Sequence, residues 1–238
     1  MIKYKNIVIL TGAGISAESG LATFRASDGL WNNHRVDDVA TVEGFARNPA
    51  YVHDFYNELK QELQKAEPNE AHLAITRLQK EYPANIYVIT QNVDTLHEKA
   101  KNNNIFHIHG VINQAICLNC GHILEGFGDV DTETICKNCN IQGMMKPNIV
   151  FFGENLLYMD EVDSLLRKCD LFLSVGTSGV VFPAASFVQT AKYYGATTIE
   201  FNLETTSNNF YFDRHIIGKS GVTLPAFVDE LIADKNRE

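Results

Sequence analysis

Ile7-Val8-Ile9-Leu10-Thr11-Gly12-Ala13-Gly14-Ile15-Ser16-Ala17 is the stretch that decides how this chain folds. Four consecutive apolar residues without polar alternation read as a strand covered on both faces. Gly12 and Gly14 then allow a tight turn, and Ala17 stands at the third small position of a dinucleotide-binding fingerprint. A helix starting at such a turn offers its N-terminus to a pyrophosphate. The same residues also suit a purely structural strand-to-helix turn, so the motif alone leaves the ligand open.

Further short apolar runs follow at Ile86–Ile89, Ile105–Ile108, Ile149–Phe152, Leu171–Val175 and Thr198–Leu203. Helical patterns lie between them, over about Val42–Lys65, Ala71–Lys80, Met159–Lys168, Pro183–Tyr194 and Ala226–Ile232. Strands alternating with helices predict an α/β fold, a Rossmann-like doubly wound parallel sheet. Two regions interrupt the alternation: Ala22–Lys65, after the glycine turn, and Asn113–Met145.

The second interruption holds four of the five cysteines, as Cys117-x-x-Cys120 and Cys136-x-x-Cys139. Each Cys-x-x-Cys knuckle supplies two soft ligands, and a short hairpin brings the second knuckle opposite the first. One structural zinc is expected there, in an inserted zinc ribbon. With all four positions filled by thiolates, no coordination site remains for a reacting water. Cys169 reads as a small buried hydrophobe, and a reducing cytoplasm is the simplest setting.

At 238 residues, 45% hydrophobic and 21% charged, the chain suits one large domain with a small insert. A net charge of −9 argues against nucleic acid as a partner and leaves room for a cationic peptide. No apolar run reaches the length of a membrane span.

Chemistry gathers where the strands end. An ordinary dehydrogenase would carry a second strand about twenty residues after the glycines, closed by an acidic residue. Here that place is taken by the polar, glycine-containing Thr23-Phe24-Arg25-Ala26-Ser27-Asp28-Gly29-Leu30-Trp31. Hydride transfer therefore loses ground. Gln91-Asn92-Val93-Asp94 follows one predicted strand, and His107-Ile108-His109-Gly110 closes the next. Gly176-Thr177-Ser178 and Asn202-Leu203-Glu204 follow two others. Ligands of open α/β sheets bind beyond such carboxyl ends. His109, at the edge beside a glycine, is the better candidate base of the two histidines.

Taken in order, these stretches resemble the sirtuin family of NAD-dependent protein deacylases, in its class III, bacterial-type branch. The likeness rests on Gly12 to Gly20, Thr23-Phe24-Arg25, Gln91 to Asp94, His109-Gly110, the four cysteines, Val150-Phe151-Phe152-Gly153-Glu154, Gly176 to Ser178 and Asn202 to Glu204. It implies a large Rossmann-like domain of residues 1–24, 68–112 and 146–238, with a small lobe of residues 25–67 and 113–145. NAD, consumed as co-substrate, would meet Gly12, Ala13, Gly14, Ala17, Thr23, Phe24, Arg25 and Trp31. Its nicotinamide end would meet Gln91, Asn92, Val93, Asp94 and His109. Gly176, Thr177, Ser178, Asn202, Leu203, Glu204 and Ser220 would hold the adenosine half. Acylated-lysine peptides would meet Tyr56, Val150, Phe151, Gly153 and Glu154, the last four as an added strand.

The resemblance implies that the acyl oxygen attacks C1′ of the nicotinamide ribose, releasing nicotinamide through an O-alkylamidate. His109, Asn92 and Asp94 would be catalytic, with His109 as general base. Mono-ADP-ribosyl transfer to protein could use the same pocket, and a non-catalytic NAD sensor or zinc scaffold is the binding-module alternative. One departure stands out. Members that remove succinyl and malonyl groups carry Tyr-x-x-Arg, whereas Tyr56 is followed by Leu59. Lys60, at i+4, could share the helix face but lacks the guanidinium fork. A preference for acetyl or longer apolar acyl groups is expected.

Overall fold

The computed structural model describes residues 2–23, 30–126 and 128–235. β1 (Asn6–Thr11) runs into α1 (Ala13–Ser16) across the glycine turn. The short pair β2 (Leu30–Trp31) and β3 (His34–Arg35) leads to α2 (Val36–Val39), α3 (Val42–Arg47) and α4 (Pro49–Lys65). The single helix expected over Val42–Lys65 is therefore two. Pro49 cannot extend a preceding helix but suits the first turn of a new one, and the Asn48 side chain caps α4 by accepting from Tyr51 N–H.

α5 (Glu70–Glu81), β4 (Asn85–Thr90), α6 (Leu96–Lys99) and β5 (Ile105–His107) complete the first half of the sheet. β6 (Gly110–Cys117), β7 (Ile123–Glu125) and β8 (Met145–Ile149) form a separate antiparallel sheet carrying the cysteines. Ile149–Phe152 is thus not a strand of the parallel sheet. Ile149 ends β8, and Phe152 makes only an isolated bridge to Thr41. Then follow α7 (Met159–Lys168), β9 (Leu171–Val175), α8 (Phe187–Tyr193), β10 (Thr197–Asn202), β11 (Arg214–Ile217) and α9 (Ser220–Lys235). The edge strand β11 has no long apolar run to announce it. α9 starts six residues before the expected Ala226, with Pro225 inside it and the Glu18 carboxylate accepting from Gly221 N–H at its start.

The six parallel strands lie in the order β11-β10-β9-β1-β4-β5. Alternate residues of β1 face opposite layers. Ile7 and Ile9 pack with Ile75 and Leu78 of α5 and Leu224 and Val228 of α9. Val8 and Leu10 pack with Val162 of α7 and Val188 of α8. A third cluster joins Val52, Phe55, Tyr56 and Leu59 of α4 to Ile112, Ile149 and Phe151. Cys169 is buried, and burial pushes its thiol up to about 12, which leaves it inert.

Candidate functional site

The chain leaves β1 toward β4 on one side and reaches β9 on the other, so the loops after β1 and β9 diverge at a topological switch point. A crevice opens at such a point because neighbouring crossovers turn to opposite faces. Here it is a cleft of about 1050 Å³, at the upper end of ligand-site volumes and roomy enough for a dinucleotide. All described candidate residues for NAD and substrate line it. Phe24 and Arg25, expected in the cofactor pocket, lie outside the described residues.

The glycines join the two loops. Gly12 N–H donates to Val175 O at 3.1 Å and Gly14 N–H to Gly176 O at 2.8 Å. A Cβ on Gly176, whose φ is +63°, would stand 2.3 Å from Ile15 N. The amides of Gly12 and Gly14 are therefore spent within the protein, and these residues offer a ligand close-packed backbone rather than free donors.

The loop after β4 forms the floor. The Asn92 amide donates to Gly12 O at 3.2 Å and to Ser16 Oγ at 3.1 Å, while Ser16 donates to Asp94 Oδ2 at 2.9 Å. Asp94 Oδ1 also accepts from Leu96 N–H and so secures the start of α6. Ser16 was not among the expected site residues; its signal was a hydroxyl inside the glycine turn. Beneath it, Thr11 donates to Nε2 of the fully buried His97, whose Nδ1–H meets Asn102 Oδ1. Burial lowers the His97 pKa, so the ring stays neutral.

His109 Nδ1–H donates to Gln91 O at 2.8 Å. A carbonyl can only accept, so this bond places the proton on Nδ1 and leaves Nε2 with its lone pair. Burial lowers the His109 pKa, partly offset by the Gln91 carbonyl. The ring is therefore a neutral base with a fixed tautomer at pH 7.

At the far end, the Asn202 side chain donates to Thr177 O at 2.7 Å and accepts from Leu203 N–H at 2.9 Å, tying the β9 and β10 loops together. Ser220 is buried and donates to Glu18 Oε1 at 3.4 Å.

α4 supplies one wall. Tyr56, Leu59, Glu62 and Leu63 line the cleft beside Leu21, Trp31, Val93 and Ile149. Lys60 does not line it. Its ammonium donates to Gly128 O and pairs with Asp129 at 3.4 Å, toward the cysteine lobe. The Tyr56 ring stacks on Phe151 at 5.8 Å; burial and then the Glu154 charge raise its pKa, keeping it protonated. Glu154 accepts from Phe151 N–H and from Lys146 at 2.7 Å, so its carboxylate braces the turn of its own segment. Phe152 and, on another part of the lining, Val180 and Phe182 are exposed apolar residues. Val180, Phe182 and Glu62 were not expected at the site. No described lining residue is Lys or Arg.

The four cysteine sulfurs lie within 4.8 Å of one another, with Cys117–Cys139 and Cys120–Cys136 each at 3.7 Å. A tetrahedron with Zn–S bonds of about 2.3 Å has edges of about 3.8 Å, so the quartet fits zinc. Both knuckles close alike, Gly121 N–H to Cys117 O and Asn140 N–H to Cys136 O, with Gly121 and Asn140 at positive φ.

A doubly wound sheet opening on a dinucleotide-sized cleft, with a four-thiol hairpin beside it, defines a nucleotide-dependent enzyme carrying a structural metal. Residues 12–183 match the Sir2 family, and the chain belongs to it. It is 51% identical over 232 residues to an NAD-dependent protein deacylase of Vibrio parahaemolyticus, covering 97% of this chain and 96% of that one. A Sir2 homologue solved in complex with NAD superposes with a TM-score of 0.89 at 34% identity, covering 98% of this chain and 91% of the other. Sir2Af2 bound to a myristoylated histone peptide gives 0.76 at 34%, covering 99% and 94%. No helix among the described residues is long and apolar enough to cross a membrane.

Proposed function

We propose that this chain, an NAD-dependent protein deacylase of the Sir2 family, removes acetyl and longer apolar acyl groups from lysine in preference to succinyl or malonyl groups. The observation that carries this is the turning of α4. Leu59 faces the cleft, and Lys60 faces Gly128 and Asp129. A dicarboxylyl chain would bring its carboxylate to an apolar wall whose nearest charged neighbour on α4 is Glu62, and an unpaired buried charge is costly. An apolar chain gains about 0.8 kcal/mol for each methylene it buries there.

NAD supplies the electrophilic ribose carbon and the nicotinamide leaving group. The chain's residues then act around it. Gly12, Ala13, Gly14, Ala17, Thr23 and Trp31 form the near side of its pocket. Gly176, Thr177, Ser178, Asn202, Leu203, Glu204 and Ser220 form the far side. Asn92 and Asp94, braced through Ser16, orient the nicotinamide ribose with Gln91 and Val93. His109 Nε2 takes a proton from a ribose hydroxyl, the task its tautomer and lowered pKa suit. Val150, Phe151 and Gly153 carry the peptide, with Glu154 bracing them and Tyr56 beneath Phe151. A relative bound to a myristoylated histone peptide supports an acylated-lysine partner.

We read residues 1–24, 68–112 and 146–238 as the large domain and 25–67 and 113–145 as the small lobe. Four cysteines gathered as a metal site support a cytoplasmic setting. One peptide offered with acetyl-, butyryl- and succinyl-lysine, with products weighed by mass spectrometry, tests the reading. Acyl-ADP-ribose from the first two is expected. Preferred turnover of the succinyl peptide would overturn the acyl preference, and ADP-ribosylated peptide would assign transfer to protein instead.

A further inference from the structure

Two histidines, His107 ending β5 and His109 two residues beyond it, hold two consecutive carbonyls of the cleft floor. His109 Nδ1–H donates to Gln91 O at 2.8 Å, and His107 Nδ1–H donates to Asn92 O at 3.0 Å. The second nitrogen distinguishes them. His107 Nε2 lies 2.7 Å from Glu98 Oε1 of α6, so both ring nitrogens of His107 face oxygens that can only accept. A neutral ring has one proton for two such acceptors. Imidazolium satisfies both.

We propose that His107, held by Glu98, is a positioning residue that keeps the Gln91–Asp94 loop in its NAD-binding shape. The proposal rests on the assignment of that loop to the nicotinamide ribose. The mechanical path is short. The Asn92 carbonyl is clamped from behind by His107, and its side chain reaches forward to Gly12 O and Ser16. Releasing the carbonyl frees the peptide unit that aims both Asn92 and, two residues on, Asp94.

Charge supports the same state. Burial alone lowers the His107 pKa, but the hydrogen bond and charge of Glu98, the Asn92 carbonyl and the charge of Asp94 together raise it above its ordinary value. Glu98 moves the other way. Its burial is outweighed by His107, and its pKa falls. The remaining titratable groups nearby are His97 of α6, kept neutral by burial, and His109. At the floor of the cleft one imidazole is thus pushed toward its charged form and two toward the neutral form, each by its partners. With the folded pKa raised, the clamp is fully charged below the ordinary histidine pKa, and its charge assistance is lost as pH rises through the raised value, leaving a weaker neutral bond.

Glu98→Gln keeps an oxygen near Nε2 but removes the carboxylate, so His107 loses its proton at lower pH than in the wild type. The Michaelis constants for NAD and for an acetyl-lysine peptide are to be measured from pH 6 to 8.5 in both proteins. In Glu98→Gln the NAD value should match wild type at pH 6 and rise about five-fold by pH 8.5, the difference between a charge-assisted and a neutral hydrogen bond from Nδ1–H to Asn92 O. The wild-type NAD value should stay flat further up the range, and the peptide value should not move. His107→Asn, whose amide replaces Nδ1–H, should restore NAD affinity relative to His107→Leu without any pH dependence.

Superimposable profiles for wild type and Glu98→Gln would overturn the proposal. So would NAD and peptide constants rising together with a fall in melting temperature. Nitrogen-15 shifts of His107 in the unsubstituted protein provide a second measurement should the variant not fold. Both ring nitrogens should be protonated at pH 7, and a singly protonated ring would overturn the assignment. Absence of any nicotinamide release from wild type would instead sink the deacylase reading of the site.

Discussion

Leu59→Arg is the substitution that asks most of the acyl-pocket reasoning. Leu59 sits one turn after Tyr56 on the cleft face of α4, within the cluster of Phe55, Ile149 and Phe151. An arginine there can lay its methylenes along that apolar wall and bring its guanidinium into the space a succinyl carboxylate would occupy. A charge-assisted bidentate pair contributes about 1.5–3 kcal/mol, or about 10- to 150-fold in relative kcat/KM. Glu62, one turn further on the same face, would compete for the guanidinium and hold the gain near the lower end. Leu59→Arg with Glu62→Gln should reach the upper end. The assay is nicotinamide release from acetyl- and succinyl-lysine forms of one peptide, with thermal unfolding to confirm that each variant is folded. A folded variant whose succinyl-to-acetyl ratio equals that of wild type would refute the placement of Leu59 at the acyl terminus.

Other consequences follow from the same geometry. His109→Ala should retain NAD binding by calorimetry while acyl transfer falls about 10²- to 10⁴-fold, the usual worth of a general base, and full turnover would remove His109 from the mechanism. Because burial lowers the His109 pKa, the base stays deprotonated down to a pH below its ordinary 6.5. The acid limb of the wild-type rate profile should therefore lie under pH 6.5, and a limb above 7 would contradict the assignment. Stripping zinc with a chelator should lower the melting temperature and open residues 113–145 to hydrogen exchange, with recovery on adding zinc. Protein that purifies without zinc and is indifferent to the chelator would refute a structural site. Gly176→Ala forces a Cβ to within 2.3 Å of Ile15 N at φ +63°, whereas a Cβ at Gly195, φ +91°, meets nothing within 4 Å. Both variants carry a backbone strain of about 1–3 kcal/mol, and only Gly176→Ala should also lose NAD affinity.

Much of this molecule is legible along the chain because its signals are local. The run Ile7–Leu10 must be covered on both faces, and the glycine turn must follow it. Two Cys-x-x-Cys knuckles specify a four-sulfur site before any hairpin is drawn. Pro49 is a local signal too, yet its weight against a continuous helical pattern became plain only with Asn48 seen capping α4. β11 and the early start of α9 were hidden for the opposite reason. An edge strand needs little apolar surface, and Glu18, some two hundred residues away in sequence, meets Gly221 at the start of α9.

What the amino-acid order determined is which chemical groups exist and which short-range turns they favour: a doubly wound α/β chain, its zinc ligands, and a histidine at the end of a strand. Tertiary structure alone decided direction. Sequence spacing left Lys60 able to face the acyl pocket, and the packing of α4 turned it to Gly128 and Asp129, leaving Leu59 at the cleft. The same holds for His107 and His109, two residues apart and chemically identical. One meets a carbonyl and a carboxylate, the other a carbonyl and the cleft, so the pKa of the first is raised and that of the second lowered. Protonation depends on which atoms surround a ring in space, and distant segments supply those atoms only when the chain has folded.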